Sequence, residues 1–175
     1  MSEKLSQWLL FIVLSFIWGS SFILMKGGMI SLSAVQVASL RILASGLVML
    51  PLTVKNWRRI PSHKLVPVFL SGTLGSLLPA YLFCMAEQVI DSSLAGMLNS
   101  LTPIFVIITG AIFFNNRATT QKVVGVLIAF VGCLLLFLNQ PKGAMNSGFV
   151  NVLMLILATI MYGVNVNLVF RYLKD

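Results

Sequence analysis

The residues best able to do chemistry in this sequence are polar groups stranded inside long apolar runs. Arg41 lies about two helical turns inside one run, Glu87 closes the next, and Asp91 and Ser92 open the one after it. Asn99, Ser100 and Thr102 stand just before Pro103 in the middle of that same run. Trp18, Gly19, Ser20 and Ser21 form a polar notch in the first, followed by Lys26, and Tyr81 and Tyr162 interrupt two others. Charged groups at membrane depth are costly and are paired, hydrated or functional. Two readings of Arg41 follow. It snorkels to the headgroups or pairs structurally with Glu87, or it handles a substrate. Asp91 is expected to cap the helix that follows it, its carboxylate accepting free backbone amides. The Asn99 amide needs a partner in mid-membrane, either across a helix interface or in a cavity.

This inventory contains no catalytic set. The single histidine, His63, falls in a basic loop next to Pro61, and the carboxylates sit at the ends of runs. A membrane protease or transferase would place a serine with a buried histidine, or two carboxylates, together in mid-membrane. Cys84 and Cys133 are isolated within apolar sequence and offer neither a disulfide framework nor metal spacing. There is no phosphate-binding loop. The sequence therefore implies no enzyme, no cofactor and no metal.

The elements that position these residues are legible from composition. Hydrophobic residues make up 58% of the 175-residue chain and charged residues 9%, with a mean hydropathy of +0.99. A soluble domain carries roughly a quarter charged residues. Six apolar runs stand out, at 8–25, 35–54, 66–86, 92–114, 123–138 and 149–170. A helix rising about 1.5 Å per residue needs about 20 residues to cross the hydrocarbon. The predicted fold is an all-α integral membrane protein of six transmembrane helices, the fifth run being the shortest. The first run is expected to persist as a helix. Its flank holds Glu3 and Lys4, and no small-residue cleavage site precedes the second run.

The net charge of +8 suggests nucleic-acid binding, but the bases form no face of a soluble domain. They lie between the runs and read as topology signals, so no nucleic-acid partner is expected. Lys55, Arg58, Arg59 and Lys64 follow the second run, Arg117 and Lys122 the fourth, and Arg171 and Lys174 the sixth. The opposite loops offer only Lys26 and Lys142. By the positive-inside rule both termini are cytoplasmic.

Small residues recur at Gly72, Gly75 and Ser76, and again at Gly125, Ala129 and Gly132. In lipid such residues let helix backbones approach. Pro51, Pro79 and Pro103 each remove a backbone hydrogen bond within a run and are expected to bend it. The sixth run echoes the first. Trp18-Gly19 is matched 144 residues on by Tyr162-Gly163, in a stretch that continues through Asn165 and Asn167 to Arg171. An odd number of helices per repeat unit would insert the second copy upside down, a recurrent transporter device.

With these residues in view, the sequence resembles the EamA-domain family of the drug/metabolite transporter superfamily. Trp18-Gly-Ser-Ser-Phe22 with Lys26 is similar to the family's first helix, and Arg41 matches a common arginine of the second. The stretch from Asp91 to Gly96 and from Leu101 through Pro103 to Phe105 is similar to the fourth, and Gly125 and Gly132 to the fifth. The resemblance covers about residues 8–140. One departure is the pair Asn115-Asn116, where the family often has an acid. The resemblance implies ten helices in two inverted five-helix repeats around a central cavity, and transport of amino acids, other metabolites or drugs, often as export.

On that reading residues 1–144 form the first repeat and 145–175 the first helix of a second, incomplete one. The chain is then the N-terminal portion of a longer transporter or a truncated product. The expected function is a multi-pass inner-membrane transporter working by alternating access, with a channel-like or non-transporting membrane subunit as the alternative. The expected partners are the lipid bilayer, a small-molecule solute, and either a homo-oligomer or a missing C-terminal half. Parallel copies of one chain would not reproduce an inverted pair. Trp18, Ser21, Tyr81, Asn99, Pro103 and Tyr162 are the expected substrate-pathway residues, with Arg41 and Glu87 controlling the outer side.

Overall fold

The computed structural model describes residues 3–116, 119–138 and 149–174, and all regular structure among them is helical. Arg117, Lys142 and the expected repeat boundary at 144 lie outside the described residues, as do the side chains of Ala129 and Cys133. Five helical segments are long and apolar enough to cross a membrane: Lys4–Gly28, Ala34–Arg59, Ser62–Glu87, Ser92–Phe113 and Phe149–Leu173. The fifth run of the expected six is helical as well. It lies in α7 (Thr120–Leu138), where a shorter apolar helix spans Thr120–Gly132.

Helix α1 (Glu3–Gly28) ends at a glycine pair, and α2 (Ala34–Asn56) begins at a capping box. There the Gln36 amide donates to the Ser33 hydroxyl at 3.3 Å, and the Ser33 amide donates to the Gln36 side-chain oxygen at 2.9 Å. Each orphan donor of the first turn thereby gains a partner.

The three helix prolines have three different outcomes. Pro51 is accommodated inside a continuous α2. The third run is divided by a π-helical turn, Thr73–Leu77, between α3 (Leu65–Gly72) and α4 (Leu78–Glu87). The wide turn lies immediately before Pro79, which has no N–H to return to the preceding turn and whose ring would crowd its carbonyl. The Leu78 amide instead reaches back to the Thr73 carbonyl. The fourth run breaks at 100–101 into α5 (Ser92–Asn99) and α6 (Thr102–Phe113), with Pro103 in the first turn of α6, where a missing N–H leaves no bond unmade.

The last helix, α8 (Phe149–Leu168), continues through a π-helical turn, Val169–Leu173. It is the most enclosed of the five and packs chiefly against α6 and α4. Phe83, Ala86, Ile90, Leu94, Leu155 and Ala158 form the core between α4, α5 and α8. A second cluster, Met25, Ala34, Val37, Ala38 and Cys84, joins α1 and α2 to α4.

Small residues act at three contacts, one of them Gly110, where a Cβ would lie 2.8 Å from the Asn167 side-chain oxygen. A Cβ on Gly163 would lie 2.7 Å from the Phe105 backbone carbon, and one on Gly75 would overlap the Asn165 carboxamide. Gly163 and Gly75 let α8 approach, on α6 and on the π turn respectively. At Gly72, Gly125 and Gly132 an added Cβ would meet nothing within 4 Å, so those expected packing positions carry no close contact within the described chain.

Candidate functional site

Polar side chains gather at the two ends of the bundle. The first group lies where α1 turns into α2 and α4 into α5. Lys26 sits in the last turn of α1. Its ammonium donates to the Ile90 carbonyl at 2.9 Å and pairs with the Asp91 carboxylate at 3.1 Å. Asp91 does occupy the N-cap position of α5 with extended backbone, but its side chain makes no capping hydrogen bond. The expected cap is therefore corrected: the carboxylate turns to a full charge on α1 rather than to local amides.

Arg41 projects from α2 toward α1, where its guanidinium donates to the Ser21 hydroxyl at 3.3 Å and to the Met25 thioether. The Cys84 thiol approaches the same thioether at 3.6 Å. Glu87 is 0% exposed, and neither of its oxygens has a hydrogen-bond partner. The expected structural pair of Arg41 with Glu87 is thus not made. An arginine two turns inside α2 can reach either α1 or α4, and here it faces α1.

The other expected pathway residues are distributed around this group. The Tyr81 hydroxyl is 2.9 Å from that of Ser39. It lines a groove of about 640 Å³ between α2 and α4, with Leu32, Val35, Gln36 and Leu43. Tyr162 stacks at 6.1 Å on Phe83, which meets Phe22 at 5.7 Å. Those three rings join α8, α4 and α1. Asn99 and Pro103 flank the break in the fourth run, where the Thr102 hydroxyl donates to the Asn99 carbonyl at 2.7 Å. Trp18 stands apart, 70% exposed on α1. Ser21, Arg41, Tyr81 and Glu87 therefore surround one junction, Tyr162 adjoins it through Phe83, and Trp18, Asn99 and Pro103 do not share it.

The second polar group lies at the opposite end and was not anticipated as a site. Asn167 is buried in α8. Its amide donates to the Val106 carbonyl (2.8 Å), the Thr109 hydroxyl (3.1 Å) and its own-helix Gly163 carbonyl (3.0 Å). Its oxygen accepts from the Asn116 amide at 3.1 Å. A cavity of about 350 Å³ adjoins it, lined by Gly110, Asn116, Lys122 and Phe170 among others. Asn115, just before Asn116, adopts a left-handed φ of 51°, which asparagine tolerates better than most residues. Asn116 thus serves as an amide donor to α8 where an acid is common in the resembled family. The available signal for this group was the spacing of Gly163 and Asn167, four residues apart and so on one helix face. One turn-neighbour, Asn165, keeps a buried side-chain oxygen with no hydrogen-bond partner.

A chain whose described residues form only helices, five of them apolar and of membrane length, joined by buried polar contacts, is a multi-pass membrane protein. The EamA-like transporter family matches residues 5–138, and the chain belongs to that family. It is 30% identical over 158 residues to an uncharacterized transporter of Archaeoglobus fulgidus, covering 90% of this chain and 56% of the relative. It is 29% identical over 137 residues to a probable amino-acid metabolite efflux pump of Salmonella typhimurium, covering 76% and 44%. It is 22% identical over 164 residues to the PagO protein of the same organism, covering 93% and 54%. The chain spans about half the length of these curated relatives. No solved structure matches it.

Proposed function

We propose that this chain forms half of an alternating-access carrier in the cell (inner) membrane that exports a small metabolite, an amino acid or a drug. The observation that carries this reading is the seating of α8. The last apolar run is drawn into the bundle against α4 and α6, through Gly163 on the Phe105 backbone and the Asn167 hydrogen bonds.

On this reading residues 1–144 are one five-helix repeat and 145–175 the first helix of an inverted second. The likeness of Trp18-Gly19 to Tyr162-Gly163 supports the inversion. Gly163 has a helix backbone upon it, whereas a Cβ on Gly19 would meet nothing within 4 Å. Gly19 is then the place where the counterpart of α6 in a second repeat would rest. The relatives are about twice as long as their matched portions, which accords with a second repeat. The named efflux-pump relative favours export and amino-acid-like solutes.

Trp18, Ser21, Tyr81, Asn99, Pro103 and Tyr162 are assigned to the solute pathway, and Arg41 and Glu87 to its outer side. Both termini are assigned to the cytoplasm from the lysine and arginine bias. The reading requires no enzymatic activity and no cofactor.

The test is reconstitution of the chain in proteoliposomes, alone and with the remaining half of a relative, loaded with labelled amino acids. The expected result is flux that saturates and shows counterflow when both halves are present. Flux that rises linearly without counterflow would identify a channel, and absence of flux from every amino acid and toxic analogue tried would overturn the transport reading.

A further inference from the structure

We propose that Glu87 ties the protonation state of the bundle to its conformation and is the point where a proton joins or leaves during the transport cycle. This deepens the carrier reading and rests on it for the cycle, though not for the coupling itself.

Glu87 ends α4 at the junction of α1, α2 and α5, completely buried. Its carboxyl oxygens accept no hydrogen bond. The polar groups that face this junction are few. They are Ser21 and Lys26 on α1, Arg41 on α2, Cys84 and the Ser39-paired Tyr81 on α4 itself, Asp91 and Ser92 at the start of α5, and Tyr162 on α8 behind Phe83. Nearly all of the donors among them are committed elsewhere. Lys26 is held by the Ile90 carbonyl and Asp91. The Ser92 hydroxyl is directed to the Phe22 carbonyl at 3.3 Å. Cys84 turns to Met25. Arg41 has the weakest engagement, a thioether and a half-buried serine hydroxyl, and a thioether is a poor acceptor.

In this packing neither form of the carboxyl is satisfied. The carboxylate lacks a donor, and the acid lacks an acceptor for its proton. Buried polar groups without partners are rare in stable structures and call for an explanation. A movement of α2 against α1 and α4 would carry the Arg41 guanidinium from Met25 to Glu87 and satisfy the carboxylate with a charge-assisted pair. The acid gains nothing from that movement. The ionised form therefore favours the rearranged bundle, and the neutral form the packed one. By reciprocity, rearrangement favours ionisation. In the exchange the carboxyl O–H bond breaks, its electron pair stays on the carboxylate, and the proton passes to water admitted at the Lys26 end.

The test uses the 175-residue chain in liposomes. Infrared spectroscopy follows the carbonyl band of protonated carboxyl groups from about pH 3 to about pH 9, from below the ordinary carboxyl range to above neutrality. Spin labels on Val35→Cys and Gln88→Cys, in a Cys84→Ser, Cys133→Ser background, report the separation of α2 from the α4–α5 turn. The expected result is a titrating carbonyl band and a label distance that changes with it, both lost in Glu87→Gln. Arg41→Gln is expected to keep the band and lose the distance change. A distance response that persists in Glu87→Gln, or a band that Glu87→Gln leaves intact, would overturn the proposal. Should Glu87→Gln fail to fold, the Arg41→Gln result decides, because an unaltered distance response there is equally fatal. Coupling without flux of labelled amino acids would leave this proposal standing and remove the carrier reading. Flux whose pH dependence is the same in Glu87→Gln would do the reverse.

Discussion

The side-chain amide of Asn167 in α8 donates to the backbone carbonyl of Val106 in α6 at 2.8 Å, and that one contact is the centre of a clasp between the two helices. Thr109 and Asn116 complete it. Replacing Asn167 with leucine keeps the volume but leaves the Asn116 amide and the Thr109 hydroxyl without their α8 partner. Hydrogen bonds between membrane helices average about 0.6 kcal/mol and reach about 1.7. With the three bonds to Val106, Thr109 and Asn116 removed, Asn167→Leu is expected to destabilise the fold by roughly 1–3 kcal/mol, the range for leaving buried polar groups unsatisfied. Reversible unfolding in mixed detergent micelles measures it, and an unchanged midpoint would show the clasp to be idle.

Gly163 and Gly19 make a matched pair of tests. A Cβ at Gly163 falls 2.7 Å from the Phe105 backbone carbon, which cannot rotate away, whereas one at Gly19 has open space. Gly163→Ala is expected to push α8 off α6 and cost about 1–3 kcal/mol, as overpacking does. Gly19→Ala is expected to stay within about 0.5 kcal/mol in this chain, as a substitution that touches nothing. The same Gly19→Ala change is expected to weaken co-purification with the other half of a relative if an inverted repeat rests on α1. Equal losses of stability at both positions would contradict the packing described.

Much of the helical layout was legible because the bilayer admits few solutions. A run of spanning length must satisfy its own backbone bonds, so length and apolarity were sufficient for five runs. The fifth run was the shortest in sequence, and it forms the helix α7 (Thr120–Leu138). Prolines marked the sites of irregular backbone, but not which kind would form. That depended on register, with Pro103 in a first turn and Pro79 beside a π turn. Pairings were less legible. Asp91 has the local signature of a cap, yet a lysine 65 residues away takes its carboxylate. Depth alone suited Arg41 to Glu87, while the helix face it occupies directs it to Ser21 and Met25. Such choices depend on helix rotation, which a single polar residue in a uniformly apolar run does not specify.

The Lys26–Asp91 pair joins α1 to α5 at 3.1 Å, with side chains 41% and 66% exposed. At that exposure solvent screens most of its charge, and such pairs contribute about 0–1 kcal/mol. Asp91→Asn is therefore expected to shift stability by less than about 1 kcal/mol. A double-mutant cycle with Lys26→Gln isolates the coupling, and raising the salt concentration should shrink it. A coupling of several kcal/mol would mean that the pair is shielded from water in the membrane.

The orientation of the bundle yields the last prediction. The loop after α2 carries Arg58, Arg59 and Lys64, while Ser31 and Gln88 lie in turns at the other end of the same helices. Retaining these three bases on one side of the bilayer is favoured because translocating each lysine or arginine is opposed during insertion. Single cysteines at Ser31 or Gln88, in a chain lacking Cys84 and Cys133, are therefore expected to react with a membrane-impermeant maleimide in intact cells. Cysteines at Ser62 or Asn116 are expected to react only after permeabilisation. All four positions lie outside or at the ends of the spanning helices, so their reactivity reports sidedness rather than burial in lipid. Labelling of Ser62→Cys in intact cells would invert the bundle, placing Lys26, Arg41 and Glu87 on the cytoplasmic side.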